Sequence, residues 1–166
     1  MINWKFYPLA ERIPPHLVKV IEVLEGKSDH ISSSDHELNS NDVLATLRED
    51  LEHLGYIVER GSKDRIRMPV LYGENGKVEK SFDVDAYDES TGTVIEVEAG
   101  RGVTNHQFLK DFFEACTMHD VEYCTIAVRN TYLRRSDFKA VASFMDALYA
   151  SGRISLPLKG LLVIGY

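Results

Sequence analysis

The stretch that most limits how this chain can fold runs from Phe82 to Gly100, where F-D-V-D-A-Y-D enters a turn at E-S-T-G and returns as T-V-I-E-V-E-A-G. Strand side chains alternate between faces, so Asp83, Asp85 and Tyr87 point one way and Phe82, Val84 and Ala86 the other. On the return run Val94, Glu96 and Glu98 share one face, and Ile95, Val97 and Ala99 share the opposite one. Directly opposed residues of an antiparallel pair point the same way. Packing both apolar sets on a common core is therefore expected to gather four carboxylates on one surface. Two carboxylates roughly 5 Å apart at an effective dielectric near 20 repel by about 3 kcal/mol. Such a cluster needs protonation, strong hydrogen bonds or a cation, and a hard divalent metal suits its oxygen donors.

The 166 residues suffice for one domain with a real core and are short for two. A hydrophobic content of 44% with 27% charged residues is globular. The net charge of -7 argues against a general nucleic-acid coat that works by phosphate neutralisation. It leaves room for a local site, because a bound divalent ion reverses the charge around it. Cys116 and Cys124 lack metal-ligand spacing and read as reduced core thiols. With no secretory segment and no apolar run of membrane-spanning length, a soluble cytoplasmic protein without membrane contact is expected.

Ahead of the hairpin, the aromatic opening with Trp4, Phe6 and Tyr7 is expected to pack on the domain or on a partner. Pro14 and Pro15 start an N-terminal helical extension with Leu17, Val20, Ile21 and Leu24 inward and Gly26 at its end. The G-K-S at 26–28 lacks the upstream glycine and strand of a phosphate-binding loop, since position 21 is isoleucine. The polar segment at about 27–40 predicts a mobile loop, and His30 and His36 within it have neither metal-ligand spacing nor a rigid scaffold. Ser40 or Asn41 is expected to cap a helix with Leu44, Leu47, Leu51 and Leu54 inward. The basic residues Arg60, Lys63, Arg65 and Arg67 read equally as phosphate contacts or as solubilising charge.

Three extended runs follow, R-I-R-M-P-V-L-Y, K-V-E-K-S-F-D-V-D-A-Y and T-V-I-E-V-E-A, with a hairpin signal at Asn75-Gly76 between the first two. They are expected to form a three-strand meander. Thr104 and Gln107 have the spacing of a capping box for a helix carrying Phe108, Phe112 and Ala115. The run V-E-Y-C-T-I-A-V-R reads as a buried strand, followed by a helix from about Asp137 and a last strand at Leu161–Ile164. Arg129, Arg134 and Arg135 read either as a solvated loop or as a phosphate-contacting rim.

This order of elements, with the acids on the second and third strands, resembles the PD-(D/E)xK nuclease superfamily. The likeness covers roughly Asp42 to Asn130 and is greatest to the branch that contains BamHI and BglII. There too the lysine position is not lysine, and I-E-V-E at 95–98 is followed at once by a glycine-rich turn and an aromatic helix. The resemblance implies an α/β fold with a restriction endonuclease-like αβββαβ core, its mixed sheet flanked by helices, over 1–166 as one domain. It implies a Mg2+- or Mn2+-dependent endonuclease acting on nucleic acid, DNA first, with a homodimer or protein partner needed to span a duplex.

By position, Asp85 or Asp83 is the second-strand acid and Glu96 the first acid of the third strand. Asp85 is preferred because the register that sets it opposite Glu96 sets Asp83 opposite Glu98. Metal ligands are then Asp85, Glu96 and the Val97 backbone carbonyl, with Asp83 as the alternative. Glu98 stands where most members carry lysine and serves as base or extra ligand. Arg101 and Lys110 are candidates for the missing cation. Asn105 and Gln107 are candidates to hold phosphate or water, with helix capping favoured for Gln107. A nuclease fold without activity, binding nucleic acid or protein, is the alternative function.

Overall fold

A computed structural model of the chain describes residues 1–61, 63–100, 103 and 105–166. Its centre is a buried sheet in which β6 (Thr93–Glu98), β7 (Tyr123–Val128) and β8 (Gly160–Gly165) run parallel. Alternation sorts their apolar side chains to two cores. Ile95, Val97, Ala127, Leu162 and Ile164 meet α1 (Pro15–Gly26) and α3 (Ser40–His53) on one side. Val94, Ile126, Val128, Leu161 and Val163 meet α4 (Gln107–Thr117) and α5 (Asp137–Ser151) on the other. Each fully buried Leu, Ile or Phe in these layers contributes on the order of 1.5–3 kcal/mol. The product is an α/β architecture with a mixed sheet between helical layers.

The full sheet order is β1-β8-β7-β6-β5-β2. The outermost strand β1 (Asn3–Tyr7) corrects the expectation that the N-terminal extension is helical throughout. It pairs antiparallel with β8, from Asn3 opposite Gly165 to Tyr7 opposite Leu161. All six residues of β8 are buried, so its outer row of amides needs partners, and the aromatic opening supplies them. The Tyr7 hydroxyl also lies 2.8 Å from the Ala142 carbonyl and 2.8 Å from the Asp146 carboxylate on α5.

Residues 27–40 differ from the loop expected of a polar run. They include α2 (Ser28–Ile31), and Ile31 is buried. Ser33 donates from its hydroxyl to the Tyr166 carbonyl, Arg129 donates to the Leu38 carbonyl, and His36 Nε2 is 2.9 Å from the Asp29 carbonyl. The cap of α3 is Asn39, one residue before the expected pair, and it accepts from the Asp42 N–H at 3.0 Å.

The three-strand meander is also corrected. β3 (Ile66–Tyr72) and β4 (Val78–Val84) pair as a separate two-stranded sheet, joined through a turn in which Asn75 and Gly76 both have positive φ, as their hairpin signal requires. The chain breaks its extended course at Asp85. It then re-enters the main sheet as β5 (Ala86–Asp88), between β2 (Ile57–Val58) and β6. In β5, Ala86 faces Ile95, Tyr87 faces Val94 and Asp88 faces Thr93, the register expected from the sequence.

Candidate active site

The break at Asp85 builds the site. At this break the Asp85 carbonyl still accepts from the Glu59 N–H at 2.8 Å, while its side chain turns to β6, where Oδ2 accepts a hydrogen bond from the Val97 N–H at 2.7 Å. Glu96 and Glu98 lie on the same face of β6 as Val94, beneath α4. A fourth acid comes from α4 itself. Asp111 shares its buried stripe with Phe108, Phe112 and Ala115 and is only 6% exposed. Gln107, one helical turn earlier, donates from Nε2 to Asp111 Oδ1 at 2.8 Å.

Like charges in a partly dry setting leave all four acids weak. Burial raises Asp85 to about 6 against the lowering effect of the Val97 hydrogen bond, with Glu59 and Asp111 adding to the rise. Burial, then the charges of Asp85, Asp111 and Glu98, hold Glu96 well above the ordinary glutamate range. Burial, then a hydrogen bond with Asp111, push Glu98 up to about 9. Asp111 is raised by burial, against the opposing hydrogen bonds from Glu98 and Gln107. Lys110 borders the group, its ammonium 3.3 Å from Glu114 and 3.9 Å from Asp111. Burial works against its charge, but Glu114 and Asp111 more than offset it and raise its pKa.

The sequence-predicted residues do not all meet here. Asp85, Glu96, Glu98 and the Val97 amide do, and Lys110 stands at the edge. Asp83 does not: it is exposed on β4, opposite Arg67, and ion-paired with Arg65 at 2.7 Å. Gln107 clamps Asp111, and α4 starts from His106, left-handed and without a cap from its own side chain. Asn105 is exposed just before α4. Arg101 and Thr104 lie outside the described residues.

The basic residues before β3 and at its start are mostly spent on ion pairs. Arg60 holds Glu52 at 2.7 Å, and Arg65 and Arg67 share Asp83. Arg129 is neither solvated nor on a rim; it is buried, with its guanidinium 5.1 Å from the Tyr132 ring centre. Asp111 is the residue that sequence reasoning missed. Its signal is an acid three residues after Phe108 on an otherwise apolar helix face.

Among the described residues, no three His, Cys, Asp or Glu side chains are placed to hold a metal ion together. An all-protein cage is therefore absent from them. Mg2+ asks for less, one or two carboxylates with water and phosphate completing its shell, and Asp85 beside Glu96 fits that demand.

No family model matches the chain, and no curated protein matches it. A solved structure does. The crystal structure of free BglII, a restriction endonuclease, superposes with a TM-score of 0.54 and 11% sequence identity, over 99% of this chain and 78% of that one. The fold is restriction endonuclease-like. At that identity the likeness concerns the course of the chain, and the site of this restriction endonuclease-like domain stands on its own geometry. Among its described residues no helix is long and apolar enough to cross a membrane.

Proposed function

We propose that this protein is a metal-dependent nuclease that hydrolyses phosphodiester bonds, with DNA as the first substrate class to test. One observation carries the reading: Asp85, Glu96, Glu98 and Asp111 converge beneath α4 in a restriction endonuclease-like fold, with Lys110 as the neighbouring cation. Burying like charges together costs stability, so perturbed carboxyls in a cluster make a functional-site candidate.

Asp85 and Glu96 are the residues to hold Mg2+ or Mn2+, with the Val97 carbonyl beside them. When bound, such an ion polarises a phosphoryl oxygen and lowers the pKa of water. The chain's own work is positional. The Val97 N–H fixes the Asp85 carboxylate, and Gln107 fixes Asp111. Glu98 and Asp111 are placed to share one proton; with a cation bound beside them that proton would pass to solvent, and the pair would then be free to accept one from water. Asn105, just before α4, is proposed to meet the phosphate, and Arg101 is proposed as a second contact from the sequence alone.

A second reading, a nucleic-acid or protein-binding module without hydrolysis, is favoured by Glu98. It stands at the family's lysine position and brings a proton there in place of a fixed positive charge. A cleavage screen tests the two. Supercoiled and linear DNA, single-stranded DNA and RNA are incubated with wild type or Glu96→Gln, in Mg2+, Mn2+ or EDTA. Metal-dependent cleavage lost in Glu96→Gln supports the nuclease. Binding without cleavage under every metal condition supports the module.

A further inference from the structure

One face of the β3–β4 ribbon outruns the core beneath it. Alternation puts Val78, Lys80, Phe82 and Val84 of β4 on one face, and the pairs Ile66–Val84, Met68–Phe82 and Tyr72–Val78 bring residues of β3 to the same face, on either side of an irregularity at Leu71. At the inner end Met68 and Val84 are buried, and Ile66, Val70 and Phe82 half-buried, in the core beneath α4 and α5 that also takes Val94. Val94 shares its face of β6 with Glu96 and Glu98, so the ribbon lies on the carboxylate side of the sheet, and β4 runs straight into Asp85. At the outer end the face is open. Tyr72 is 53% and Val78 52% exposed, and the Tyr72 ring makes no aromatic or cation contact among the described residues.

The chemistry of this face selects its occupant. Another strand is disfavoured, because Pro69 lacks an N–H and the register breaks just after it, both devices that blunt a sheet edge. A folded protein is disfavoured by size, since Tyr72 and Val78 offer far less than the roughly 800 Å² a side of a stable interface. Lys80 is the one charged side chain on the face; its ammonium rests 4.9 Å above the Phe82 ring and makes no ion pair among the described residues. The acids of β4, Glu79 and Asp83, fall on the opposite face, where Arg65 and Arg67 share Asp83. An open aromatic ring beside a cation, with no acid on its face, suits an unpaired base and its phosphate.

We infer that the outer half of the β3–β4 ribbon is an arm that holds a single-stranded length of nucleic acid on its way to the carboxylates, a base stacking on Tyr72 while Lys80 meets the adjoining phosphate. The inference rests on the proposal that those carboxylates act on nucleic acid, and it narrows the substrate to one with an unpaired stretch. Inside a duplex the flat faces of the bases are stacked on one another, and only their edges are open to a side chain. At about 3.3 Å per residue, β4 sets Val78 roughly 20 Å from Asp85, and the unpaired stretch spans that distance.

The test is binding of the whole protein, in EDTA to prevent cleavage, to one DNA strand, alone or annealed to its complement as a blunt duplex. Wild type is expected to bind the single strand about tenfold tighter than the duplex. Tyr72→Ala loses about tenfold in single-strand affinity at an unchanged thermal midpoint, and Tyr72→Phe, which keeps the ring, binds as wild type. Lys80→Gln flattens the fall of log affinity with log salt by about 0.7, the share of one phosphate on a single strand. Equal or tighter binding of the blunt duplex, no binding of either, or a Tyr72→Ala variant that binds the single strand as wild type does overturns the arm. Single-strand binding that depends on Tyr72, without cleavage in any metal, removes the nuclease reading and keeps the arm. Cleavage that is indifferent to Tyr72→Ala does the reverse.

Discussion

Asp85 reaches across the break between β4 and β5 to accept the Val97 N–H at 2.7 Å, so one side chain both ties the second strand to the third and supplies a carboxylate to the site. The two roles separate by substitution. Asp85→Asn keeps an oxygen for the Val97 N–H and is expected to leave the thermal midpoint unchanged or slightly higher in EDTA. Asp85→Ala leaves that N–H without its partner and costs about 1–3 kcal/mol. Both variants lose any metal response. Denaturant unfolding of the pair in EDTA checks the difference.

The carboxyl cluster predicts an unusual pH dependence. Native Glu98 keeps its proton up to about 9, whereas an unfolded glutamate loses it near 4.5. The native state therefore binds more protons across that interval, and the metal-free protein loses stability as pH rises, by under about 1.4 kcal/mol per pH unit for one group. Asp85, raised to about 6 from 3.8, acts with the same sign at the acid end. Glu98→Gln keeps a donor for Asp111 without the titration. Thermal unfolding in EDTA from pH 5 to 9 is expected to show a flatter profile for this variant and a midpoint a few degrees above wild type at pH 8.

Asp83 is excluded from the site by its ion pair with Arg65. Asp83→Ala is expected to cost about 0.2–1 kcal/mol, as for an exposed pair, and to leave metal binding intact. Titration with Mn2+ checks it: a lost response in this variant returns Asp83 to the site.

Lys110 is the cation nearest the cluster among the described residues, 3.9 Å from Asp111. In Lys110→Met the carboxyls give up protons less readily, so the rising limb of kcat/KM against pH is expected to move up by about half a pH unit to one unit. A pH–rate profile measured on any cleavable substrate reads this shift.

The hairpin register was legible because burial of both strand faces fixes it. The pairs Ala86–Ile95 and Tyr87–Val94 follow from alternation alone. The same alternation placed Asp83 with Asp85, because a residue-by-residue pattern does not register a break in the strand. Asp111 escaped notice because the helix was read for its apolar stripe alone. β1 was missed for another reason. Trp4, Phe6 and Tyr7 announce burial, but their pairing with β8 is a contact between opposite ends of the chain that no local pattern encodes.

The central claim is that Asp85 and Glu96 form a divalent-ion site. Thermal unfolding of wild type, Asp85→Asn and Glu96→Gln, with EDTA and with millimolar Mg2+ or Mn2+, tests it most directly. Metal at about 100 times its dissociation constant is expected to stabilise wild type by roughly 2.7 kcal/mol, an upward shift of several degrees. Both variants are expected to show no shift. An unmoved wild type, or variants that respond as strongly as wild type, would contradict the account.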